Sequence, residues 1–146
     1  MSPRPQQAAA VPFRRRGDSV SFCLITAAAS QSWGIPKGTI ERGRSPKETA
    51  LQEAWEEAGL RGRILGEALG NYEYEKAGVL LTVEVYLMEV DIEMEQWEEQ
   101  ELRGRRWVPA LDAAPMLETH PARSLVEEAC NRLRGVRREP PSLRAT

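Results

Sequence analysis

Residues 38–60 of the chain, GTIERGRSPKETALQEAWEEAGL, combine a glycine-bounded loop with a helix whose two ends are both marked. Ser45 is a favoured N-cap residue, and Glu48 three positions later completes a capping box. Gly59 supplies the left-handed residue that commonly ends a helix. Together these signals predict a helix over residues 46–58.

The predicted helix has an acidic face and an apolar face. At about 100° per residue, Glu53, Glu56 and Glu57 fall on one side, while alanine, leucine and tryptophan gather on the other. Carboxylates this close repel one another at neutral pH, and a bound divalent cation converts that repulsion into affinity. Magnesium suits the arrangement because it prefers oxygen ligands and bridges to substrate phosphates. The alternative interpretation is a solvated acidic helix surface.

The ordered combination of loop, cap, glutamate spacing and closing glycine resembles the Nudix box. This is the signature of the Nudix hydrolases, which cleave nucleoside diphosphates linked to another moiety and related diphosphate compounds. The positions that match the family pattern are Gly38, Glu53, Ala54, Glu56, Glu57, Gly59 and Leu60. Two positions differ, because Arg44 replaces the usual glutamate and Gln52 replaces the usual arginine. The resemblance implies that Gln52 orients the first helix glutamate more weakly, and Arg44 can pair with Glu41 or with a substrate phosphate.

The resemblance continues on both sides of the box, through residues 33–38 and 97–107, and covers roughly residues 11–133. These segments look most like the diphosphoinositol polyphosphate phosphohydrolase branch, and the Pro-Lys-Gly segment is shared with diadenosine polyphosphate hydrolases. The resemblance implies an α/β fold, a Nudix-type alpha/beta/alpha sandwich with a mixed sheet. It also implies a metal-dependent hydrolase that cleaves a phosphoanhydride linkage by attack of water on phosphorus.

Two other functions stay open. One is a pyrophosphohydrolase that acts on nucleoside triphosphates or on an RNA 5′ end. The other is a catalytically weak Nudix-like domain that binds a ligand as a regulator. The changed positions Arg44 and Gln52 favour the regulator, whereas the three intact glutamates of the helix favour the enzyme.

By the same resemblance, Glu53 and Glu57 are the leading metal ligands and Glu56 is a further ligand or the general base. All three are therefore predicted catalytic residues, and the Lys37 carbonyl is a predicted backbone ligand. The expected metal is Mg²⁺ or Mn²⁺. The loop after Trp97 offers two further carboxylates, Glu98 and Glu99.

Basic residues are the candidates for binding substrate phosphates. The predicted substrate-binding residues are Lys37, Gly38, Arg14, Arg16, Arg42, Lys76, Arg103 and Arg105. Most of these side chains are equally compatible with solvated surface charge. If the substrate carries a base, Trp33 or Trp97 is expected to contact it, whereas an inositol polyphosphate requires arginine and lysine. The single histidine, His120, is expected at a helix start or on the surface.

The 146 residues, 41% of them hydrophobic, suit one domain. We expect this domain over residues 11–135, between flexible segments at 1–10 and 136–146. The formal net charge is -2, but residues 48–101 hold fifteen acidic and three basic side chains. The basic excess elsewhere favours a small, highly phosphorylated substrate as the partner.

Cys23 and Cys130 lack metal-ligand spacing and are expected as buried or free thiols in a reducing, cytoplasmic setting. No apolar run approaches the length that spans a bilayer, so no membrane association is expected. No nucleic-acid-binding module is recognised, so nucleic acid is not expected as a partner except at an RNA 5′ end. The oligomeric state stays open between monomer and homodimer.

Hydrophobic periodicity outlines the remaining elements. Strands are predicted over 18–29, 32–35, 63–74, 79–90 and 105–109, and a second helix over 121–135. A turn at residues 76–78 joins the two long strands into a hairpin. Pro36 is expected to end strand pairing before the loop.

Overall fold

The computed structural model describes residues 4–138, which form a seven-stranded sheet and three helices. In chain order the elements are β1 (Gln7–Arg16), β2 (Ser19–Thr26), β3 (Trp33–Gly34), β4 (Lys37–Thr39), α1 (Pro46–Ala58), β5 (Leu60–Lys76), β6 (Val79–Glu93), β7 (Arg105–Pro109), α2 (Ala110–Leu117) and α3 (Arg123–Arg138). None of these three helices has both the length and the apolar composition needed to cross a membrane.

β1 organises the sheet. It pairs in parallel with β6 through residues 7–13 and antiparallel with β2 and β4. β5 and β6 form the long antiparallel hairpin that the sequence predicts, while β3 and β7 both pair with β2. The sheet therefore mixes parallel and antiparallel pairs.

Helices cover both faces of the sheet. On one face, α2 and α3 share a core with Val11 and Phe13 of β1. On the other face, Ala54 of α1 shares a second core with Ala8 and Ala10 of β1, and all three alanines are fully buried. Small side chains on both surfaces let α1 lie close to the sheet. The predicted α/β sandwich with a mixed sheet is confirmed.

The prediction of a flexible segment over residues 1–10 is wrong from residue 7 onward. Residues 7–13 are buried and belong to the central strand β1. Alanine, glutamine and proline have weak strand propensity, so the local sequence does not indicate a strand. Pro12 is tolerated because it lies between the pairing of β1 with β4 at residues 7–9 and with β2 at residues 13–16.

The other elements agree with the sequence to different degrees. α1 and β7 have the predicted bounds. β4 pairs with β1 directly after Pro36, where the sequence predicts that pairing ends. α2 is not predicted, because it follows β7 without a side-chain cap that would mark its start. α3 begins at Arg123 and includes residues 136–138 of the predicted tail, whose residues 139–146 lie outside the described part of the chain.

We expect Ala54→Leu to lower the free energy of unfolding by about 1–3 kcal/mol, because the larger side chain must be accommodated between α1 and β1. Urea denaturation followed by circular dichroism measures the change. The control is Ala29→Leu at an exposed position of the β2–β3 turn, which should stay within about 0.5 kcal/mol of wild type. Equal stability of the two variants would contradict the close packing of α1.

Candidate active site

Specific hydrogen bonds hold both ends of α1. The Ser45 hydroxyl accepts a bond from the Glu48 N–H (3.0 Å), and the Glu48 carboxylate accepts one from the Ser45 N–H (2.9 Å). At the other end, Trp97 Nε1 donates to the Glu57 carbonyl (2.9 Å) and Arg105 donates to the next carbonyl (2.6 Å). These bonds satisfy terminal backbone groups of the helix and fix the direction of its acidic face.

Glu53 and Glu57 form a hydrogen-bonded carboxyl pair on that face. Burial, followed by the hydrogen bond and the charge of Glu57, raises the pKa of Glu53 to about 8. Burial also raises the pKa of Glu57, although the positive charge of Arg103 opposes the shift. Such a pair is stabilised either by a shared proton or by a cation.

The backbone of β4 packs directly against this pair. The Lys37 N–H donates to Glu57 Oε1 (3.2 Å). At Gly38, an added Cβ would overlap the Glu53 carboxyl group, so a residue with a side chain here would displace this carboxyl from its place beside the strand. The fold therefore brings Lys37 and Gly38 next to the two helix glutamates.

A second group of carboxylates lies beside the pair. Glu56, Glu98 and Glu99 each offer an oxygen atom, and these atoms lie within 4.8 Å of one another. The Glu99 N–H donates to the Glu56 carbonyl (3.1 Å), which holds the loop after β6 against α1. Gln52 donates a hydrogen bond to the Glu56 carboxylate.

This donor set fits a divalent metal ion. Its ligand atoms are carboxylate oxygens, which Mg²⁺ and Mn²⁺ prefer. Glu57 is buried, and its pair with Glu53 carries repulsive charge that a cation offsets. The residues that can hold metal ions here are Glu53, Glu57, Glu56, Glu98 and Glu99, with the Lys37 backbone beside them.

Arg103 connects the two carboxylate groups. Its guanidinium lies 3.5 Å from Glu57 Oε2 and 2.7 Å from Glu99 Oε1, and it also donates to the Thr26 carbonyl (3.2 Å). Arg103 is therefore a predicted phosphate-binding residue that lies among the carboxylates. Its contacts in the structure are with protein acceptors.

Lys37 lies at the edge of a cavity of about 220 Å³ next to Glu57. Its Nζ donates to the Tyr74 hydroxyl (3.1 Å), which in turn donates to Gln7 Oε1 (2.8 Å). Trp33 and Arg103 also line this cavity. The Tyr74 hydroxyl accepts a single N–H of the Lys37 ammonium group, which has further N–H donors.

The other predicted basic residues lie elsewhere. Arg14 pairs with Glu93 (3.2 Å) and stacks on Trp107, and Arg105 pairs with the same carboxylate (3.2 Å). Both guanidinium groups therefore have structural partners. The remaining three basic residues are exposed. They are Arg16 at the end of β1, Arg42 in the loop before α1 and Lys76 at the end of β5.

Two aromatic residues have positions that the sequence does not reveal. His120 lies in the turn between α2 and α3, three residues before α3 begins, and lines the cavity beside Lys37 and Glu57. Trp97 binds the end of α1, so its side chain is committed to the helix rather than free for a base. No local pattern marks His120, because α2 and the sheet topology bring it to the site.

The two positions that differ from the Nudix box lie together, next to the acidic face of α1. Arg44 and Gln52 line a cavity of about 130 Å³ with Glu53 and Glu56. Arg44 is exposed and is placed to contact an anion that approaches the glutamates from this side.

The chain matches known proteins over most of its length. The NUDIX domain pattern matches residues 3–129. A bovine relative, diphosphoinositol polyphosphate phosphohydrolase 3-beta, is 31% identical over 117 residues, which cover 79% of this chain and 70% of the relative. Nudix hydrolase 4 of Arabidopsis thaliana is 30% identical over 131 residues, which cover 83% of this chain and 63% of the relative. The chain thus spans less than two thirds of the Arabidopsis relative.

Solved structures show the same fold. A C. elegans Ap4A hydrolase binary complex has a TM-score of 0.75 at 22% identity, with 90% of this chain and 99% of that chain covered. The NUDIX domain of Shewanella oneidensis NrtR complexed with ADP ribose has a TM-score of 0.70 at 20% identity, with 91% and 90% covered. At these identities the likeness supports the fold alone, and the family pattern confirms the resemblance of residues 38–60.

We expect Mg²⁺ at about 100 times its dissociation constant to stabilise the folded protein by about 2.7 kcal/mol, because the ion binds the native carboxylate cluster. Thermal unfolding with Mg²⁺ and with EDTA measures the shift. The Glu57→Gln variant should lose at least half of the stabilisation by Mg²⁺, whereas Glu75→Gln, at an exposed position of β5, should keep all of it. Equal shifts in the two variants would place the ion elsewhere.

Without divalent cations, stability should fall as the pH rises. The pKa of Glu53 is about 8 in the folded protein and 4.5 ordinarily, so the folded state binds this proton more tightly. Its stabilising effect is complete below about pH 4.5 and is lost as the pH rises through about 8. Urea denaturation in EDTA should therefore show a steeper decline for wild type than for Glu53→Gln over this window. Parallel curves for the two proteins would rule out the raised pKa.

Proposed function

The chain belongs to the Nudix family of hydrolases, and we propose that it cleaves the diphosphate linkage of a small phosphorylated substrate in a reaction that depends on divalent metal ions. One observation carries the proposal. Carboxylates from α1 and from the loop after β6 converge beside the backbone of Lys37 and Gly38. That arrangement suits cation binding next to a cavity that can receive part of the substrate.

Each part of the site has a role in this reaction. Glu53 and Glu57, together with Glu56 and a carboxylate of the 98–99 loop, would hold the metal ions. When bound, Mg²⁺ or Mn²⁺ neutralises charge on the leaving phosphate and acidifies the attacking water. A helix glutamate that is not engaged as a ligand accepts the proton of that water. Lys37 Nζ binds a phosphate oxygen, and no covalent bond to the enzyme is needed.

Two substrate classes are proposed. Diphosphoinositol polyphosphates are supported by the name of the bovine relative, which is 31% identical. Diadenosine polyphosphates are supported by the Pro-Lys-Gly segment at residues 36–38, which resembles that of diadenosine polyphosphate hydrolases. The exposed residues Arg16, Arg42 and Lys76 remain predicted phosphate contacts, whereas Arg14 and Arg105 would have to leave Glu93 to bind a phosphate.

The two alternatives have less support. A pyrophosphohydrolase of nucleoside triphosphates or RNA 5′ ends would use the same carboxylates. A weak, ligand-binding regulator is favoured by the changes at Arg44 and Gln52. Gln52 donates to the Glu56 carboxylate and not to Glu53, the first helix glutamate that the resemblance implies, so it orients a different carboxylate of the same face. Because one helix glutamate is still held by this donor and all three are present, the enzyme is preferred.

The setting that we propose is cytoplasmic. Cys23 and Cys130 are buried and unpaired, and burial raises the pKa of the Cys23 thiol. Free thiols are typical of a reducing compartment. Both monomer and homodimer remain compatible with the proposal.

The direct test incubates the protein with Mg²⁺ or Mn²⁺ and a panel of diphosphoinositol polyphosphates, diadenosine polyphosphates, nucleoside triphosphates and triphosphorylated RNA. We expect phosphate or nucleotide release that EDTA abolishes. Glu57→Gln should reduce turnover by about 100-fold or more, since it removes a ligand or base, and Glu75→Gln should not. Ligand binding without turnover across the whole panel would favour the regulator.

Gln52→Ala should lower turnover by about 10- to 100-fold, because the Glu56 carboxylate loses its orienting donor. Gln52→Arg supplies a donor at the same position and should retain turnover near the wild-type value. Steady-state rates at saturating metal and substrate measure both. Unchanged turnover in Gln52→Ala would show that this hydrogen bond does not support catalysis.

A further inference from the structure

The cavity beside Glu57 is not explained by metal binding. It measures about 220 Å³ and is lined by β2, β3 and the segment before α3. Its lining includes the charged residues Lys37, Arg103 and Glu57 and the uncharged residues Trp33 and His120. The cavity is smaller than the roughly 300–1,000 Å³ clefts that hold drug-sized ligands, so it suits a single ring system.

His120 is fixed as a neutral hydrogen-bond donor. Its Nδ1 accepts a bond from the Ala122 N–H (3.0 Å), which places the ring proton on Nε2. Burial and the charge of Lys37 lower the pKa of His120, so the neutral form prevails at physiological pH. Tyr72 holds the imidazole edge-on, with ring centroids 5.8 Å apart. Within the described part of the chain, no acceptor is hydrogen-bonded to Nε2.

Gly34 keeps the space next to this donor open. An added Cβ at Gly34 would lie 3.3 Å from His120 Nε2 and 3.5 Å from Cδ2. Trp33, the neighbouring residue of β3, is half-buried, packs against the core and lines the same cavity. The donor, the indole and the open space therefore lie together.

The chemistry of this wall favours an uncharged planar ring. Ile25, Ile35 and Trp33 supply apolar surface, and the uncommitted ring donor of His120 is neutral. A highly phosphorylated inositol ring needs several cations around it, but the cations that line this cavity are Lys37 and Arg103, and Arg103 is already paired with Glu57 and Glu99. A nucleobase offers acceptor atoms and a π-face, and its phosphates would extend toward the glutamates.

We propose that this cavity binds the nucleobase of the substrate, with His120 Nε2–H donating to an acceptor atom of the base and Trp33 contacting its face. This inference rests on the proposed function and deepens it, because it favours nucleotide-containing diphosphates over diphosphoinositol polyphosphates. His120 is then a specificity-determining residue, while the glutamates carry out the cleavage.

The test uses the full-length chain and does not require turnover. His120 is the single histidine, so its ring nitrogens give one pair of ¹⁵N signals in labelled protein. Titration with AMP in EDTA should shift the Nε2 signal, and titration with inositol hexakisphosphate or inorganic diphosphate should leave it in place. A shift with inositol hexakisphosphate and none with AMP would overturn the proposal, as would the absence of any shift.

Two variants separate a direct contact from a structural role. His120→Phe retains an aromatic ring without the donor and should weaken AMP binding about tenfold, whereas His120→Asn restores a neutral donor and should recover part of it. Gly34→Ala fills the space and should also weaken binding. Urea denaturation verifies that each variant is folded, and unchanged AMP affinity in folded His120→Phe and Gly34→Ala would contradict the proposal.

The outcome is independent of the proposed reaction. Turnover of diphosphoinositol polyphosphates without AMP binding would refute the base site and leave the hydrolase intact. AMP binding at His120 without turnover of any substrate would support the base site and refute the hydrolase.

Discussion

The close contact of α1 with the sheet is the constraint on which the site depends. Ala54 packs against alanines of β1, and larger side chains there would move the helix away from the sheet. At this separation Glu53 reaches Gly38, and Glu57 accepts the N–H of Lys37. The packing fixes the distance of α1 from the sheet, and the hydrogen bonds at its two ends fix the direction of the helix. A helix packed more loosely would present the same glutamates without assembling them.

Assembly of these carboxylates is electrostatically unfavourable in itself. Arg103 offsets part of the repulsion by bridging Glu57 and Glu99, and backbone donors offset another part. Burial, followed by the hydrogen bond and the charge of Glu57, nevertheless raises the pKa of Glu53. A divalent ion would offset this cost, because it satisfies several carboxylates at once. The same residues therefore lower stability alone and are predicted to raise it when a metal is bound.

The basic residues of the chain are divided between structure and binding by their partners. Arg14 and Arg105 converge on Glu93 and tie the end of β6 to β7 and α1. Lys37 keeps donors at the cavity edge, and Arg44 lines a separate cavity with Glu53 and Glu56. The neutral donor His120 lines the same cavity as Lys37.

The sequence by itself determined α1 and its acidic face. The capping box at Ser45, the stop at Gly59 and the glutamate spacing act within a few residues, and local signals of this kind can be interpreted without knowledge of the fold. Only the tertiary structure decided that residues 7–13 form the central strand, because their alanines and Pro12 gain strand pairing from β6, a partner distant in the chain. It also decided that His120 faces Lys37 and that Arg14 and Arg105 share Glu93. These contacts join residues far apart in the chain, so their geometry depends on strand order and helix packing rather than on local propensity.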